Sequence, residues 1–130
     1  MPLVSCVTSS PFSIRRRQSS ALPESARKAG SARATSTTAS TSATSAITTV
    51  EYEDGMLADF EAMFERIAAQ AWEYKHNERW HDGNGFSHVR AALLGPSLSV
   101  PFVDKKLTLG TWQEIAFLDF DNRQRSRRII

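Results

Sequence analysis

From Ser31 to Ser45 the chain is almost wholly Ser, Thr and Ala, and twenty of its first fifty residues are Ser or Thr. A segment of that kind removes too little apolar surface from water to offset the entropy of ordering it. Residues 1–40 are therefore expected to be a disordered tail. That leaves about 85 residues to fold, few enough that contacts with neighbouring subunits would help. The tail is also basic, with Arg15, Arg16, Arg17, Arg27, Lys28 and Arg33 against a single acid, Glu24. An Arg- and Ser-rich, acid-poor N-terminus has the composition of an organelle transit peptide, which is the second reading; the third is a gene-model artefact, residues never selected to fold.

The rest of the chain holds ten of the 16 basic and thirteen of the 14 acidic residues, so the net +2 describes neither half. The basic tail has no aromatic interleaving beyond Phe12, which gives no ground for nucleic-acid binding. Cys6 is the only cysteine, which excludes an intrachain disulfide and a Cys-rich zinc site. Apolar runs reach about four residues, as in Ala91 to Leu94, against the ~20 that cross a bilayer. With no membrane segment and no apolar signal region, a soluble cytoplasmic protein is expected, with organelle import if the tail is a genuine transit peptide.

Order is expected to begin at Ala46, where I-T-T-V-E-Y has the β-branched and aromatic residues of a strand, stopped by Asp54 and Gly55. Met56, Leu57, Phe60, Met63, Phe64 and Ile67 recur at three and four residues, which predicts an amphipathic helix from Met56 to Ala69. Ala71 to Arg79 reads as a connection. After Pro96, Leu98, Val100 and Phe102 alternate as in a half-buried strand, with Pro101 on an edge or facing outward. Asp104-Lys105-Lys106 turns into Leu107 to Leu109. Thr111 to Phe120 forms a further strand, with Trp112 filling a core or subunit interface, and Arg127 to Ile130 is the last. This order implies an α+β fold with a mixed, mostly antiparallel sheet, one long amphipathic helix and one short helix.

The chemistry is concentrated from Trp80 to Gly95, W-H-D-G-N-G-F-S-H-V-R-A-A-L-L-G. His81 and His88 are candidate metal ligands, and the Gly83-Asn84-Gly85 backbone can approach a ligand closely. Asp82 and Arg90 are candidate catalytic groups. A short helix is expected after the loop, with Ser87 as N-cap, Val89, Ala92 and Leu93 on one face and Gly95 at its end. In its first turn His88 would be neutral at pH 7, because the helix dipole disfavours a charged imidazole there. Each histidine alone is more readily a surface or packing residue, since a spacing of seven fits no standard metal signature. Folding of the glycine-rich loop onto the helix start would bring His81 and His88 within reach of one ion.

W-H-D-G-N-G-F-S-H-V-R-A-A-L-L-G-P-S-L-S-V-P-F at 80–102, L-T-L-G-T-W-Q at 107–113 and L-D-F-D-N-R at 118–123 together resemble the YjbQ family, described as secondary thiamine-phosphate synthases. The resemblance covers roughly residues 42–130 and implies an α+β homotrimer. The implied activity is weak condensation of a pyrimidine methyl diphosphate with a thiazole phosphate. His81 and His88 match the family's recurring histidines, Glu51 its acidic residue, which makes Glu51 a further candidate catalytic group, and Trp112 and Gln113 its G-T-W-Q, which makes the last two candidate ligand-binding residues. Many members carry His-Thr-Ser where this chain has Ser42-Ala43-Thr44. The resemblance also implies strands before Ala46, whose place the Ser/Thr tail takes. Residues 41–130 are then a YjbQ-like domain truncated at both ends, with Met63, Phe64 and Ile67 partly wet.

Two functional classes follow. One is an enzyme acting on a small phosphorylated ligand, with a divalent metal (Zn or Mg) and Arg90 neutralising the leaving group. The alternative is a non-catalytic trimeric metal- or anion-binding module, or a non-functional truncated product.

Overall fold

The structure is a computed structural model, and it describes residues 3–5, 13–16 and 33–130. The hydrophobic run expected near the C-terminus, E-I-A-F-L-D, forms the strand on which the rest is laid. This strand, β7 (Glu114–Asp119), is buried along almost its whole length. It pairs antiparallel with β2 (Ser13–Arg16) on one side and β4 (Ser45–Val50) on the other. A strand covered on both faces reads as a continuous apolar run rather than an alternation. One face of this sheet presents Ala46, Val50, Ala116 and Leu118 to Phe64, Ala91 and Phe120. The other presents Ile47, Ile115 and Phe117 to Val100. The strand period of two thus feeds two cores from one sheet.

The first core is closed by α1 (Asp54–Ile67) and α3 (Gly85–Leu94), and the second by an antiparallel sheet of β3 (Arg33–Ala39), β5 (Ser97–Val103) and β6 (Lys106–Leu107). A short helix, α2 (Lys75–Trp80), precedes the site loop, and β1 (Leu3–Ser5) pairs with β8 (Ser126–Arg128). The fold is α+β, with antiparallel sheets and, among the described residues, three helices. No helix among the described residues is long and apolar enough to cross a membrane.

Helix α1 starts at Asp54 rather than Met56, because the Glu53 carboxylate accepts the Gly55 N–H (2.8 Å) and the Met56 N–H. Phe64 is fully buried, edge-on to Phe120 with ring centroids 4.9 Å apart. Met63 and Ile67 are exposed. Asp104 and Lys105 both have positive φ (49° and 64°), as a two-residue type I′ hairpin turn requires. Pro101 lies in the middle strand of its sheet, not on an edge. Its carbonyl accepts from Thr108 N–H (2.9 Å), just past β6. Because the N and C=O of one strand residue face the same side, the missing donor falls where the ladder has already ended.

Several expectations are corrected. The strands before Ala46 are not missing, since Ser13–Arg16 and Arg33–Ala39 are paired along their full lengths. Residues 1–2, 6–12 and 17–32 of the expected tail lie outside the described residues. The composition argument weighed apolar burial, whereas β3 is an outer strand held by its ladder and by polar pairs such as Thr37 Oγ1 to Ser99 Oγ (2.8 Å). The connection from Ala71 to Arg79 contains α2. On α3 the buried face is Phe86, Ser87, Arg90 and Ala91, while Val89 (41% exposed), Ala92 and Leu93 (57%) point outward. The helix is turned the other way because it buries an arginine. Trp112 precedes β7 on a turn and is 70% exposed, so it fills no core within the chain.

Candidate functional site

The D-G-N-G loop links α2 to α3 and is shaped by its own polar groups. His81 ends α2 in the left-handed region (φ 52°), and its N–H bonds to Asn77 O (2.9 Å). Asp82 Oδ1 accepts the Asn84 N–H (3.1 Å), a side-chain turn typical of Asp. Gly83 has φ 64°. Gly85 N–H goes to Asn77 Oδ1 (2.8 Å), so a side chain of α2 caps α3. Ser87 is not the N-cap: the cap residue is Asn84, and Ser87 Oγ donates to Asn84 O (2.6 Å). Gly95 ends α3 with φ 85°, as expected.

Folding α2 back on α3 stacks the His76 and His88 rings, with centroids 4.2 Å apart and planes tilted by 38°. His76 Nε2 lies 3.5 Å from Asp82 Oδ2, at the limit of a hydrogen bond. It is buried with no well-formed partner. Burial, and then the neighbouring His76, hold His88 below the ordinary histidine value against the pull of Asp82 and Asp121. It is neutral at pH 7, with desolvation rather than the helix dipole as the main cause. Burial pushes Asp82 up, but the Asn84 N–H and His76 outweigh it and leave the carboxyl below its usual value.

From the far side of the chain, Asn122 closes the loop. Its backbone N–H donates to Asn84 Oδ1 (3.1 Å) and its Nδ2 to Asp82 O (2.8 Å). Asp121 beside it belongs to a buried ionic network. Arg127 grips Asp119 through Nε (2.9 Å) and a terminal nitrogen (3.0 Å), and the same terminal nitrogen reaches Asp121 Oδ2 (2.8 Å) and Thr44 Oγ1 (2.8 Å). Arg125 Nε adds a weaker bond to Asp121 (3.3 Å).

Asp82, Asn84 and His88 thus come together, with His76, Asp121 and Asn122, which the sequence reading did not choose as site residues. Gly83 and Gly85 lie in the same loop, and the remaining choices differ in setting. His81 is an exposed helix cap, and His76 takes the place beside His88 that was expected for it. Glu51 is exposed between β4 and α1. Arg90 is 1% exposed, and its Nε donates to Ala68 O (2.9 Å) while a terminal nitrogen binds Glu65. The loop amides of Asn84 and Gly85 are taken by Asp82 and Asn77, so they do not form an open anion cradle. Gln113 spans from Gly110 N–H (3.1 Å) to Thr49 Oγ1 (2.9 Å) and holds the turn before β7. Among the described residues no group of three or more His, Cys, Asp or Glu is arranged to hold an ion. A signal for His76 existed: Asn77 beside it and Asn84 inside the G-N-G loop can cap and close a helix pair. Asp121 and Asn122 stand in the L-D-F-D-N-R stretch.

Residues 14–130 match the family model described as UPF0047 protein YjbQ-like. The chain belongs to that family. UPF0047 proteins of Archaeoglobus fulgidus and Methanothermobacter thermautotrophicus are 42% and 43% identical to this YjbQ-like chain over 85 and 84 residues. These matches cover 65% of the chain in both cases, and 65% and 57% of the relatives, so the chain spans just under two thirds of the length of the curated relatives it matches. Among solved structures, an uncharacterized YjbQ/UPF0047 protein of Clostridium acetobutylicum superposes with a TM-score of 0.79 at 25% identity, covering 100% of this chain and 98% of its own. A YbjQ-like protein of unknown function from Sulfolobus solfataricus gives 0.83 at 26% identity, covering 98% and 88%.

Proposed function

We propose that this YjbQ-like chain binds a small phosphorylated ligand, accompanied by a divalent cation, beside His76, His88 and Asp82. The observation that carries the reading is the His76–His88–Asp82 cluster itself, with the buried Nε2 of His76 lacking a well-formed partner. Two imidazoles and one carboxylate are a common donor set for zinc and similar ions. The charge balance favours a cation as well. Asp82 is ionised, whereas Arg90 and Arg127 are committed to carboxylates, so a phosphate would meet net negative charge unless an ion came with it. Weak condensation of a pyrimidine methyl diphosphate with a thiazole phosphate is the reaction we propose to assay first, and a homotrimer is the assembly. The metal would supply charge neutralisation on the phosphate, while Asp82 holds His76 and His88 stays uncharged.

Calorimetric titration with zinc and with magnesium, followed by inorganic phosphate, tests this. Zinc should bind near one equivalent per chain, be lost in His76→Ala and persist in His81→Ala. No metal binding by the wild type, or equal loss in both variants, would overturn the reading.

A further inference from the structure

The outer edge of β3 is open where most sheet edges are blunted. Pro101 turns its carbonyl to Thr108 on the β6 side, so its neighbours Val100 and Phe102 turn their backbone groups to Ser36 and Ala34, their partners on β3. Thr35 and Thr37 therefore direct their N–H and C=O groups away from the sheet, as Ala39 does in the same alternation. At Ala39 that edge is taken, because its N–H donates to Ile130 O (2.8 Å) and its O accepts the Ile130 N–H (2.9 Å). At Thr35 and Thr37, both exposed, no described residue pairs with it. The ladder to β5 is unbroken along β3, and no proline, lysine or bulge within residues 34–38 guards the edge.

We infer that the β3 edge at Thr35 and Thr37 binds an extended segment of a partner protein as an added antiparallel strand, with an apolar residue at every second position. The segment already seated on this edge shows the chemistry it takes. Ile129, opposite Ser40, packs inward on the core of Ile47, Val100, Ile115 and Phe117, whereas Ile130 is 47% exposed. Further along, β3 turns Thr38, the buried Ser36 and Ala34 to the same inner side. These small side chains leave the inner row to the added strand. A partner residue opposite Ser36 is thus apolar, and its neighbours, opposite Thr37 and Thr35, are polar and face outward. The two N–H and two C=O groups of the edge supply main-chain bonds, and the alternate side chains supply selectivity. A second copy of this chain fits less well, since its β3 would bring the same small inner side chains and its Ile129 is seated on its own edge.

The test titrates the isotope-labelled full chain with a capped peptide of alternating threonine and valine carrying a lysine at each end. The amide resonances of Thr35 and Thr37 should move most. Methylating the peptide's threonine nitrogens, which face β3, should weaken binding by about thirtyfold, the worth of two neutral hydrogen bonds. Methylating its valine nitrogens, which face away, should leave binding within about twofold of the parent. Thr37→Pro removes one outward N–H and no ladder bond to β5, so it should fold and bind the peptide about fivefold more weakly. Should Thr37→Pro fail to fold, the two methylated peptides on the wild type decide. A wild type that ignores the peptide, equal loss with both methylated peptides, or unweakened binding by folded Thr37→Pro would overturn the inference. So would concentration-dependent self-association that Thr37→Pro abolishes, which would give the edge to a second copy.

Discussion

Replacing Arg90 by Ala should cost about 3–5 kcal/mol of folding free energy, the range for truncating a large, fully buried side chain. The side chain fills the space between α1 and α3. Its guanidinium carbon lies 5.0 Å from the Phe86 ring centroid and 5.8 Å from that of Phe64. Without it, the Ala68 carbonyl at the end of α1 loses its side-chain donor, at about 1–3 kcal/mol. The two ring contacts contribute about 0.5–1 kcal/mol each, and the cavity adds to both. These terms overlap, which is why the total stays within that range. Glu65 is 45% exposed, so Glu65→Gln, which keeps an acceptor for Arg90, should cost only about 1 kcal/mol. Urea unfolding measures both. With a slope of about 2 kcal/mol/M, Arg90→Ala should move the midpoint down by roughly 2 M and Glu65→Gln by about 0.5 M. An Arg90→Ala chain that unfolds like the wild type but no longer binds phosphate would refute the reasoning and return Arg90 to the ligand.

Three further outcomes are expected. Lys105→Gly should raise stability by about 0.5–1 kcal/mol in thermal melts, because a left-handed residue in a type I′ turn is strained for lysine and not for glycine; no gain would mean the turn is held from elsewhere. Gly85→Ala should cost about 1–3 kcal/mol by overpacking, since a Cβ there would lie 2.7 Å from Tyr74 Cγ, whereas Gly95→Ala meets nothing within 4 Å and suffers only from its φ; equal effects by denaturant titration would contradict the close α2–α3 approach. Burial pushes the Asp121 carboxyl up, but Arg127, the Arg123 N–H, Thr44 and Arg125 outweigh it and hold it below the usual value. A carboxylate depressed in the folded state stabilises above its unfolded pKa, near ~3.9, and that stability is lost as pH falls through the folded value. The wild type should thus lose stability more steeply than Asp121→Asn below about pH 4, and parallel acid-unfolding curves would argue against it.

Local pattern determined much of this protein. The three- and four-residue recurrence of Met56, Phe60, Phe64 and Ile67 is a property of one helix, and the alternation of Leu98, Val100 and Phe102 a property of one strand, so both were legible without any partner. The short motifs likewise sufficed to indicate the family. What the tertiary structure alone decided is which distant segments meet. Arg33–Ala39 becomes a strand because β5, some sixty residues on, offers a complementary ladder, and no count of Ser and Thr contains that information. His76 rather than His81 faces His88 because Asn77, Gly85 and Tyr74 set how closely α2 packs on α3. Arg90 turns inward because the end of α1 needs a donor, and that reverses the face of α3 predicted from Val89 and Leu93. Side-chain period is fixed within a few residues of chain, whereas hydrogen-bond and charge partners are chosen across the whole fold.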